Sequence, residues 1–432
     1  MTDKDQRALT PPMGWNSWDC YAANVTEEQL LRNAEYMAEK MLPFGWQYIV
    51  CDIQWYEPLA GTGEGEYRPF AALAMDEYSR LVPAENRFPS SAGGKGFSPL
   101  AEKIHRMGLK FGIHIMRGIP RQAVHGGTAV KGPGVKAGRI ANPFSICRWN
   151  SDMYGLDPGK DGAQDYYDSL FGLYASWGVD YVKVDDICNT NMYPHMPYSG
   201  RGEIELIRNA IDTCGRPMVL SLSPGPALIE EAWHLAEHAN MWRITDDFWD
   251  RWDLLKDMFR RCELWQTHVQ SGRWPDCDML PLGRIGIGFK RPRYTNFTRD
   301  EQRTLMTLWC IFRSPLMMGG ELSGNDEWTL SLLTNREVLD VMKKGAKPRQ
   351  LHRNAAEALW ISDAPEGKIH LALFNLSDEP RSLGCPLERF GMEKAELRDL
   401  WKGENRTVSG LVLEELPPHG AALFRLGAAD KQ

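Results

Sequence analysis

The chain has 432 residues, of which 43% are hydrophobic and 25% are charged, and its formal net charge is −7. The length suggests one large domain and one smaller domain of a soluble globular protein. The negative charge argues against nucleic acid or an anionic membrane as the main partner. No apolar run approaches the ~20 residues that span a bilayer.

The first residues of the chain and its cysteines indicate the cellular compartment in which we expect the protein. Residues 1–7 are polar and contain no apolar segment of the kind found in secretory signals. The nine cysteines are scattered without a C-x-x-C pair, which predicts buried thiols in a reducing compartment. A disulfide between Cys147 and Cys188 is the alternative. We therefore expect a cytoplasmic protein.

From residue 11 onward, short strand-like runs alternate with helical segments. A capping box at Thr26 to Gln29 opens the first predicted helix. The predicted strands lie at residues 12–18, 46–52, 109–115, 179–186, 217–223, 240–247, 274–280 and 314–320. The later helices are predicted at residues 98–107, 164–177, 202–213, 227–239, 250–270 and 299–313.

Eight strand–helix units fit a (β/α)8 barrel, and the long segments 56–96 and 117–160 fit enlarged loops at its rim. A doubly wound sheet is the alternative, but no Gly-rich dinucleotide turn follows the first strand. After about residue 345, short strands follow each other without helices, which predicts a small antiparallel β-sandwich. We expect a catalytic barrel over residues 1–344 and the β-domain over residues 345–432.

The C-terminal ends of the strands form the active-site face of such a barrel. Two of the predicted strands end in carboxylates, and paired carboxylates most often indicate glycoside hydrolysis. The side chains at the predicted strand ends are Trp18, Asp52, His114, Lys183, Asp185, Ser223, Arg243, Asp247 and Asp278.

Asp185 follows Lys183 by two residues, so both side chains point to one side of the strand. The ammonium group favours an ionised carboxylate, which suits a nucleophile, although a structural Lys–Asp pair is the plainer alternative. Arg243 and Asp247 form a second candidate pair. Asp246 competes with Asp247 as the acid, and spacing alone does not separate them.

Other polar and aromatic residues at these ends have equally ordinary interpretations. The alternation of Asp276 and Asp278 is typical of a turn, and a metal site is the weaker hypothesis because no further ligands cluster nearby. A single histidine such as His114 more often belongs to a core. Trp18 fits a core position as well as a platform under a sugar ring.

Five motifs in chain order carry a resemblance to a known family. They are Met13–Trp18, Tyr181–Asp185, Trp242–Asp247, Asp276–Leu280 and Ser314–Met318. Together they resemble the α-galactosidases and α-N-acetylgalactosaminidases of glycoside hydrolase family 27, over residues 10 to about 420. The resemblance implies a barrel followed by a β-domain and a retaining exo-glycosidase that requires no metal or organic cofactor.

The resemblance also implies roles for individual residues. Asp185 matches the nucleophile of a Y-x-K-x-D motif, and Asp247 matches the acid/base of R-x-x-x-D, which decides against Asp246. Residues that match ligands of the sugar are Trp18, Asp52, Lys183, Arg243 and Asp278.

The chain departs from the family pattern at three places. Ile53 replaces the second Asp of a D-D-x-W motif, and His114 replaces a usual aromatic residue. In the loop after the fifth strand, the small residues Ser223 and Ala227 would leave room for a 2-acetamido group. We include His114, Ser223 and Ala227 among the predicted substrate contacts.

The sequence therefore predicts hydrolysis of a terminal α-linked galactose or N-acetylgalactosamine, with N-acetylgalactosamine favoured. A β-L-arabinopyranosidase, permitted by Ile53, or an α-glycosidase for another related sugar is the enzymatic alternative. A catalytically silent carbohydrate-binding protein is a second alternative. A metal-dependent hydrolase would need several histidines at strand ends, where only His114 is placed.

Overall fold

The computed structural model describes residues 3–63, 66–132, 134–190 and 195–429, so the predicted domain limits at residues 1 and 432 lie outside it. Its larger part is built on eight short parallel strands, most of whose residues are buried, as strands covered by helices must be. They are Met13–Asn16 (β1), Tyr48–Cys51 (β2), Lys110–Met116 (β3), Tyr181–Asp185 (β4), Val219–Leu222 (β5), Met241–Arg243 (β6), Trp274–Asp276 (β7) and Leu316–Met318 (β8).

The eight strands form one curved parallel sheet in the order β7-β6-β5-β4-β3-β2-β1-β8. A parallel bridge between Leu280 and Met318 joins the two ends of this sheet, with the Leu280 N–H donating to the Met317 carbonyl at 2.8 Å. The structure therefore confirms the predicted (β/α)8 barrel. All eight predicted strands are present, each shorter at its ends or shifted by a residue.

A helix follows each strand and covers the outside of the barrel. These helices are Glu27–Tyr36 (α1), Ser98–Arg106 (α2), Ala163–Ser176 (α3), Arg201–Thr213 (α4), Ala232–His238 (α5), Trp252–Trp265 (α6) and Arg299–Phe312 (α7), with Glu327–Leu333 (α8) and Arg336–Lys344 (α9) after β8. The predicted capping box at Thr26 is confirmed, and Thr298 begins α7 with a second one. Helix α5 begins five residues later than predicted, directly after a 3-10 turn at Ile229–Glu231.

The two predicted rim loops lie between β2 and α2 and between β3 and α3. The second loop contains a three-stranded sheet of its own, formed by Ile119–Pro120, Ala141–Ile146 and Met153–Leu156. Two short helices, Arg121–Gly126 and Ala137–Ile140, lie in the same loop. Both loops reach the mouth of the barrel, where they contribute to the site described below.

The C-terminal part is an antiparallel sandwich, as predicted. Its strands are Ala346–Arg353 (β9), Glu357–Asp363 (β10), Ile369–Asn375 (β11), Arg381–Pro386 (β12), Lys394–Asp399 (β13), Glu404–Ser409 (β14), Leu411–Leu416 (β15) and Ala421–Ala428 (β16). A six-stranded sheet, β9-β10-β11-β16-β13-β14, lies against the pair β12-β15. The sandwich has a core of its own, in which Leu373, Leu383 and Phe424 are almost fully buried.

The sandwich is tied to the barrel through His419, which lies in the turn before β16. Its imidazole stacks on Trp252 of α6, with ring centroids 3.8 Å apart. Its Nδ1 is 2.7 Å from the carboxylate of Glu301 in α7. These contacts join the turn before β16 to helices α6 and α7 on the outside of the barrel.

All nine cysteines are free thiols, so Cys147 and Cys188 form no disulfide. In the part of the chain that the structure describes, every helix is too short or too polar to cross a membrane.

Candidate active site

The C-terminal ends of the barrel strands enclose a cavity of about 630 Å³. Eight of the ten predicted site residues line it, and they arise from strands distant in sequence. These eight are Trp18, Asp52, His114, Lys183, Asp185, Arg243, Asp247 and Asp278.

Asp185, the last residue of β4, has both carboxylate oxygens engaged. His114 Nε2 lies 3.0 Å from Oδ2, and the Asp186 N–H donates to Oδ1 at 2.8 Å. Burial by itself would raise the pKa of Asp185, but the hydrogen bond with His114, the charge of Lys183 and the Asp186 N–H outweigh it and lower the pKa. Asp185 is therefore an ionised carboxylate held in a fixed orientation.

His114 reaches Asp185 because of the strand register. His114 of β3 is paired with Lys183 of β4, so the imidazole starts beside the strand that carries the carboxylate. The ring is almost fully buried, and its Nδ1 has no hydrogen-bond partner among the described residues. A histidine that the sequence alone favours as a core residue thus lies in the site.

Lys183 makes its direct ion pair with Asp52 rather than with Asp185. Its Nζ is 3.1 Å from Asp52 Oδ2, which also accepts from Asn16 Nδ2 at 2.7 Å. Burial by itself would raise the pKa of Asp52, but these contacts lower it. Burial would lower the pKa of Lys183, but the carboxylates of Asp52 and Asp185 raise it. The ammonium group is therefore a permanent cation between two ionised carboxylates.

Arg243 at the end of β6 holds two further carboxylates. Its guanidinium contacts Asp247 Oδ1 and Asp278 Oδ1, each at 3.0 Å. The Asp278 side chain is 5% exposed and accepts from the Phe248 N–H, whereas the Asp247 side chain is 65% exposed. Of the two, only Asp247 is open to proton exchange with solvent.

Comparisons with known proteins agree with this geometry. Residues 155–344 match the family model described as alpha galactosidase A, and residues 356–426 match its C-terminal beta sandwich domain. A β-L-arabinopyranosidase of glycoside hydrolase family 27 from Geobacillus stearothermophilus is 57% identical over 99% of both chains, with a TM-score of 0.96. The chain belongs to glycoside hydrolase family 27.

Two other relatives show the range of the family. A Bacillus halodurans protein, proposed to be an α-N-acetylgalactosaminidase, is 52% identical over 98% of both chains with a TM-score of 0.88. Alpha-galactosidase 3 of Arabidopsis thaliana is 26% identical over 97% of this chain and 82% of its own length. The family membership makes this chain a glycoside hydrolase with a carbohydrate substrate.

The other two predicted contacts, Ser223 and Ala227, do not line the cavity of this family 27 enzyme. The Ser223 hydroxyl points back toward the Val184 carbonyl at 3.4 Å, and the Ala227 N–H donates to the Arg243 carbonyl. Pro224 is the residue of this loop that faces the cavity. Because neither Ser223 nor Ala227 is among the residues that line the cavity, the structure gives no support to their predicted contact with a 2-acetamido group.

Asp19 is a lining residue that the sequence reasoning missed. It is 1% exposed, and its Oδ2 has no hydrogen-bond partner among the described residues. Burial, reinforced by the charge of Asp278, raises the pKa of Asp19 well above its ordinary value. The feature of the sequence that could have identified Asp19 is its position directly after Trp18, the last residue of the first motif.

The remaining missed residues come mainly from loops. Outside the resemblance, nothing in their local sequence distinguishes them from other loop residues. They are Glu66, Tyr67, Trp149, Pro224, Phe248, Trp249 and Met279, together with Ile53, which the sequence marked only as a departure from the family pattern.

Proposed function

We propose that this enzyme is a retaining exo-glycosidase that removes terminal β-L-arabinopyranosyl residues. The observation that carries the proposal is Ile53, which lines the inner wall of the cavity directly after Asp52. Its N–H donates to the Asp52 carboxylate at 2.8 Å, so the apolar side chain is fixed next to a predicted sugar ligand. The resemblance to family 27 indicates an aspartate at this position in α-galactosidases.

The stereochemistry of the two sugars explains why this position matters. β-L-Arabinopyranose has the ring hydroxyls of α-D-galactose but a hydrogen atom in place of the hydroxymethyl group on C5. Ile53 offers no hydrogen bond to that hydroxymethyl group, and an unpaired buried hydroxyl costs about 1–3 kcal/mol. A pentopyranose avoids this cost, in agreement with the β-L-arabinopyranosidase activity of the relative from Geobacillus stearothermophilus.

The sequence favoured N-acetylgalactosamine on the size of Ser223 and Ala227, and that argument loses its support because neither residue lines the cavity. An α-galactosidase or α-N-acetylgalactosaminidase would share the same catalytic groups. The glycone preference therefore depends on Ile53 more than on the loop after β5.

For the mechanism, we assign Asp185 as the nucleophile and Asp247 as the acid/base. The ionised Asp185 attacks the anomeric carbon while protonated Asp247 gives its proton to the glycosidic oxygen, and the bond to the aglycone breaks. Asp247 then takes a proton from water, which displaces Asp185 from the anomeric carbon. The two inversions retain the configuration, and Lys183 and Arg243 hold the ring hydroxyls.

A panel of nitrophenyl glycosides tests the proposal. We expect the highest kcat/KM on the β-L-arabinopyranoside, above the α-galactoside and the α-N-acetylgalactosaminide by about tenfold or more. The Asp185→Asn protein provides the blank. A higher kcat/KM on either hexoside would reject the pentose assignment.

A further inference from the structure

The backbone has an unusual conformation at Asp186, directly after the carboxylate assigned as the nucleophile. Its φ is +53°, in the left-handed region that residues with a side chain rarely adopt. Such a conformation costs free energy and persists only where surrounding contacts hold it. It also accompanies the hydrogen bond from the Asp186 N–H to Asp185 Oδ1, at 2.8 Å. The orientation of the nucleophile therefore depends on what holds Asp186 in place.

Arg117, the residue that follows β3, contacts both peptide groups that flank the Cα atom of Asp186. The Arg117 N–H donates to the Asp185 carbonyl at 3.1 Å, and this carbonyl belongs to the same peptide group as the Asp186 N–H. The guanidinium Nε donates to the Asp186 carbonyl, which belongs to the next peptide group. Because two planar peptide groups joined at one Cα have only two soft torsions, contacts that fix both planes also fix the φ and ψ of Asp186.

The side chain of Asp186 makes a further contact with Arg117. One carboxylate oxygen lies 3.0 Å from Nη2 of the guanidinium, and both side chains are almost fully buried. Burial raises the pKa of this carboxyl group to about 7, although the charge of Arg117 opposes the rise. The carboxyl group is therefore partly protonated at neutral pH, whereas the hydrogen bond from Nε to the carbonyl oxygen does not titrate.

Arg117 is itself held by residues from two helices and from the rim loop after β3. Its Nη1 lies 3.0 Å from Glu203 of α4 and donates to Ser145 Oγ at 2.8 Å. The Tyr167 hydroxyl of α3 donates to the other oxygen of Glu203 at 2.6 Å. A Cβ atom at Gly155 would clash with Nη1, so the absence of a side chain there leaves room for the guanidinium. These contacts give the guanidinium little freedom to move away from Asp186.

We propose that Arg117 is a positioning residue for the nucleophile: it holds the peptide groups on both sides of Asp186 and thereby directs the Asp186 N–H at Asp185 Oδ1. Arg117 is not among the described residues that line the cavity, so it acts through Asp186 rather than on the substrate. With His114 on Oδ2, the carboxylate is then held at both oxygens while it attacks the anomeric carbon. The inference rests on the proposed assignment of Asp185 as the nucleophile but not on the identity of the sugar.

Arg117→Lys tests the proposal, because lysine keeps the positive charge but lacks the Nε–H group that donates to the Asp186 carbonyl. On the glycoside that the enzyme hydrolyses best, we expect kcat to fall about ten- to hundredfold, with KM changed by less than about threefold. The acidic limb of the profile of kcat/KM against pH should move to higher pH by about half a unit or more, because a misdirected N–H stabilises the ionised Asp185 less.

The charged and titratable groups around Asp185 are unchanged in this variant. They are His114 and Lys183 on the strands, Asp186 and Cys188 after β4, and Tyr67 and Cys147 in the rim loops. A shift of the acidic limb therefore reports the lost contact of Arg117 with the backbone. A purely structural role would lower the thermal unfolding midpoint and the amount of active enzyme but leave the limb in place.

Arg313→Lys is the matched control. Arg313, directly after α7, is also a buried arginine whose Nε donates to a backbone carbonyl, that of Met342. We expect this variant to lower the unfolding midpoint and to leave the acidic limb unchanged.

Glu203→Gln is a milder second variant that covers the case in which Arg117→Lys does not fold. Glutamine keeps the shape of the side chain beside Nη1 but loses its charge, so Arg117 is held less firmly. The acidic limb should again move to higher pH. The loss of a negative charge would by itself stabilise the ionised Asp185 and move the limb to lower pH, so the two effects have opposite signs.

An acidic limb that stays in place in folded Arg117→Lys overturns the inference. If that variant does not fold, a limb that stays in place or moves to lower pH in Glu203→Gln overturns it instead. The Asp185→Asn protein separates this failure from a wrong nucleophile. Activity in Asp185→Asn would reject the nucleophile itself, whereas an inactive Asp185→Asn together with an unchanged limb in Arg117→Lys would reject only the role of Arg117.

Discussion

The inner half of the cavity, which the strand ends form, and the outer half, which the long loops form, are built in different ways. In the inner half, Asp185 and Lys183 are strand residues whose positions follow from the β3–β4 register and from hydrogen bonds between the strand ends. In the outer half, Tyr67 and Trp149 come from long loops and contact each other through their rings. The barrel thus fixes the carboxylate and the ammonium group at the strand ends, while the loops form the rest of the cavity wall.

The largest expected effect comes from the inner half. Asp185→Asn should lower kcat by about 10⁴-fold or more, because an amide is no nucleophile. The thermal unfolding midpoint should change little, since asparagine retains the shape and one of the two acceptors that His114 and the Asp186 N–H contact. Activity within tenfold of the unmodified enzyme, with the fold intact, would reject the nucleophile assignment.

The boundary between the halves is probed by two neighbouring carboxylates. Asp247→Asn should lower kcat/KM about 10²- to 10⁴-fold on glycosides with sugar aglycones, and less on nitrophenyl glycosides, whose leaving group needs little protonation. Asp246→Asn is the matched control, because Asp246 is also exposed and lines the same cavity. Although the Asp246 side chain is exposed, partial desolvation by the surrounding protein raises its pKa, so a larger loss in that variant would transfer the acid role to it.

The third prediction concerns the glycone. Ile53→Asp should raise the ratio of kcat/KM for the α-galactoside to that for the β-L-arabinopyranoside by about tenfold or more, because a carboxylate can pair the hydroxyl on C6. Ile53→Leu, which conserves volume and polarity, should leave the preference unchanged. An unaltered ratio in the aspartate variant would mean that another part of the wall selects the sugar.

Much of the inner half could be predicted from the sequence, because strand ends have a recognisable pattern. A buried run followed by carboxylates locates Asp185 at the mouth of a barrel, and the i+2 spacing places Lys183 on the same side. The ion-pair partner of Lys183 was harder to predict from the sequence, because Asp52 lies 131 residues away at the end of a different strand. Local spacing favoured Asp185 instead.

The outer half could not be predicted in the same way. Tyr67 and Trp149 lie in loops without periodicity, and they meet only because two separate insertions fold over one barrel mouth. The loop after β5 illustrates the same limit. The small residues at 223 and 227 fitted a family pattern, but the backbone turns Pro224 toward the cavity instead. The sequence predicted where the long rim loops lie, but only the fold identified which of their side chains face the cavity.

The smallest expected effect on rate tests how the inner half fixes the charge of Asp185. His114→Phe removes the hydrogen bond to Oδ2 and restores an aromatic residue of the kind that the family resemblance indicates at this position. Because that bond lowers the pKa of Asp185, its loss should raise this pKa, and the nucleophile then becomes protonated at a higher pH.

The acidic limb of the profile of kcat/KM against pH, which reports essential ionisations of the free enzyme, should therefore move to higher pH in His114→Phe. At neutral pH the loss of kcat should be only a few-fold, since Asp185 remains ionised there and keeps the Asp186 N–H. His105→Phe is a suitable control, because His105 pairs with Asp180 outside the cavity. An acidic limb that stays in place in His114→Phe would show that the Asp186 N–H and the charge of Lys183 suffice to keep Asp185 ionised.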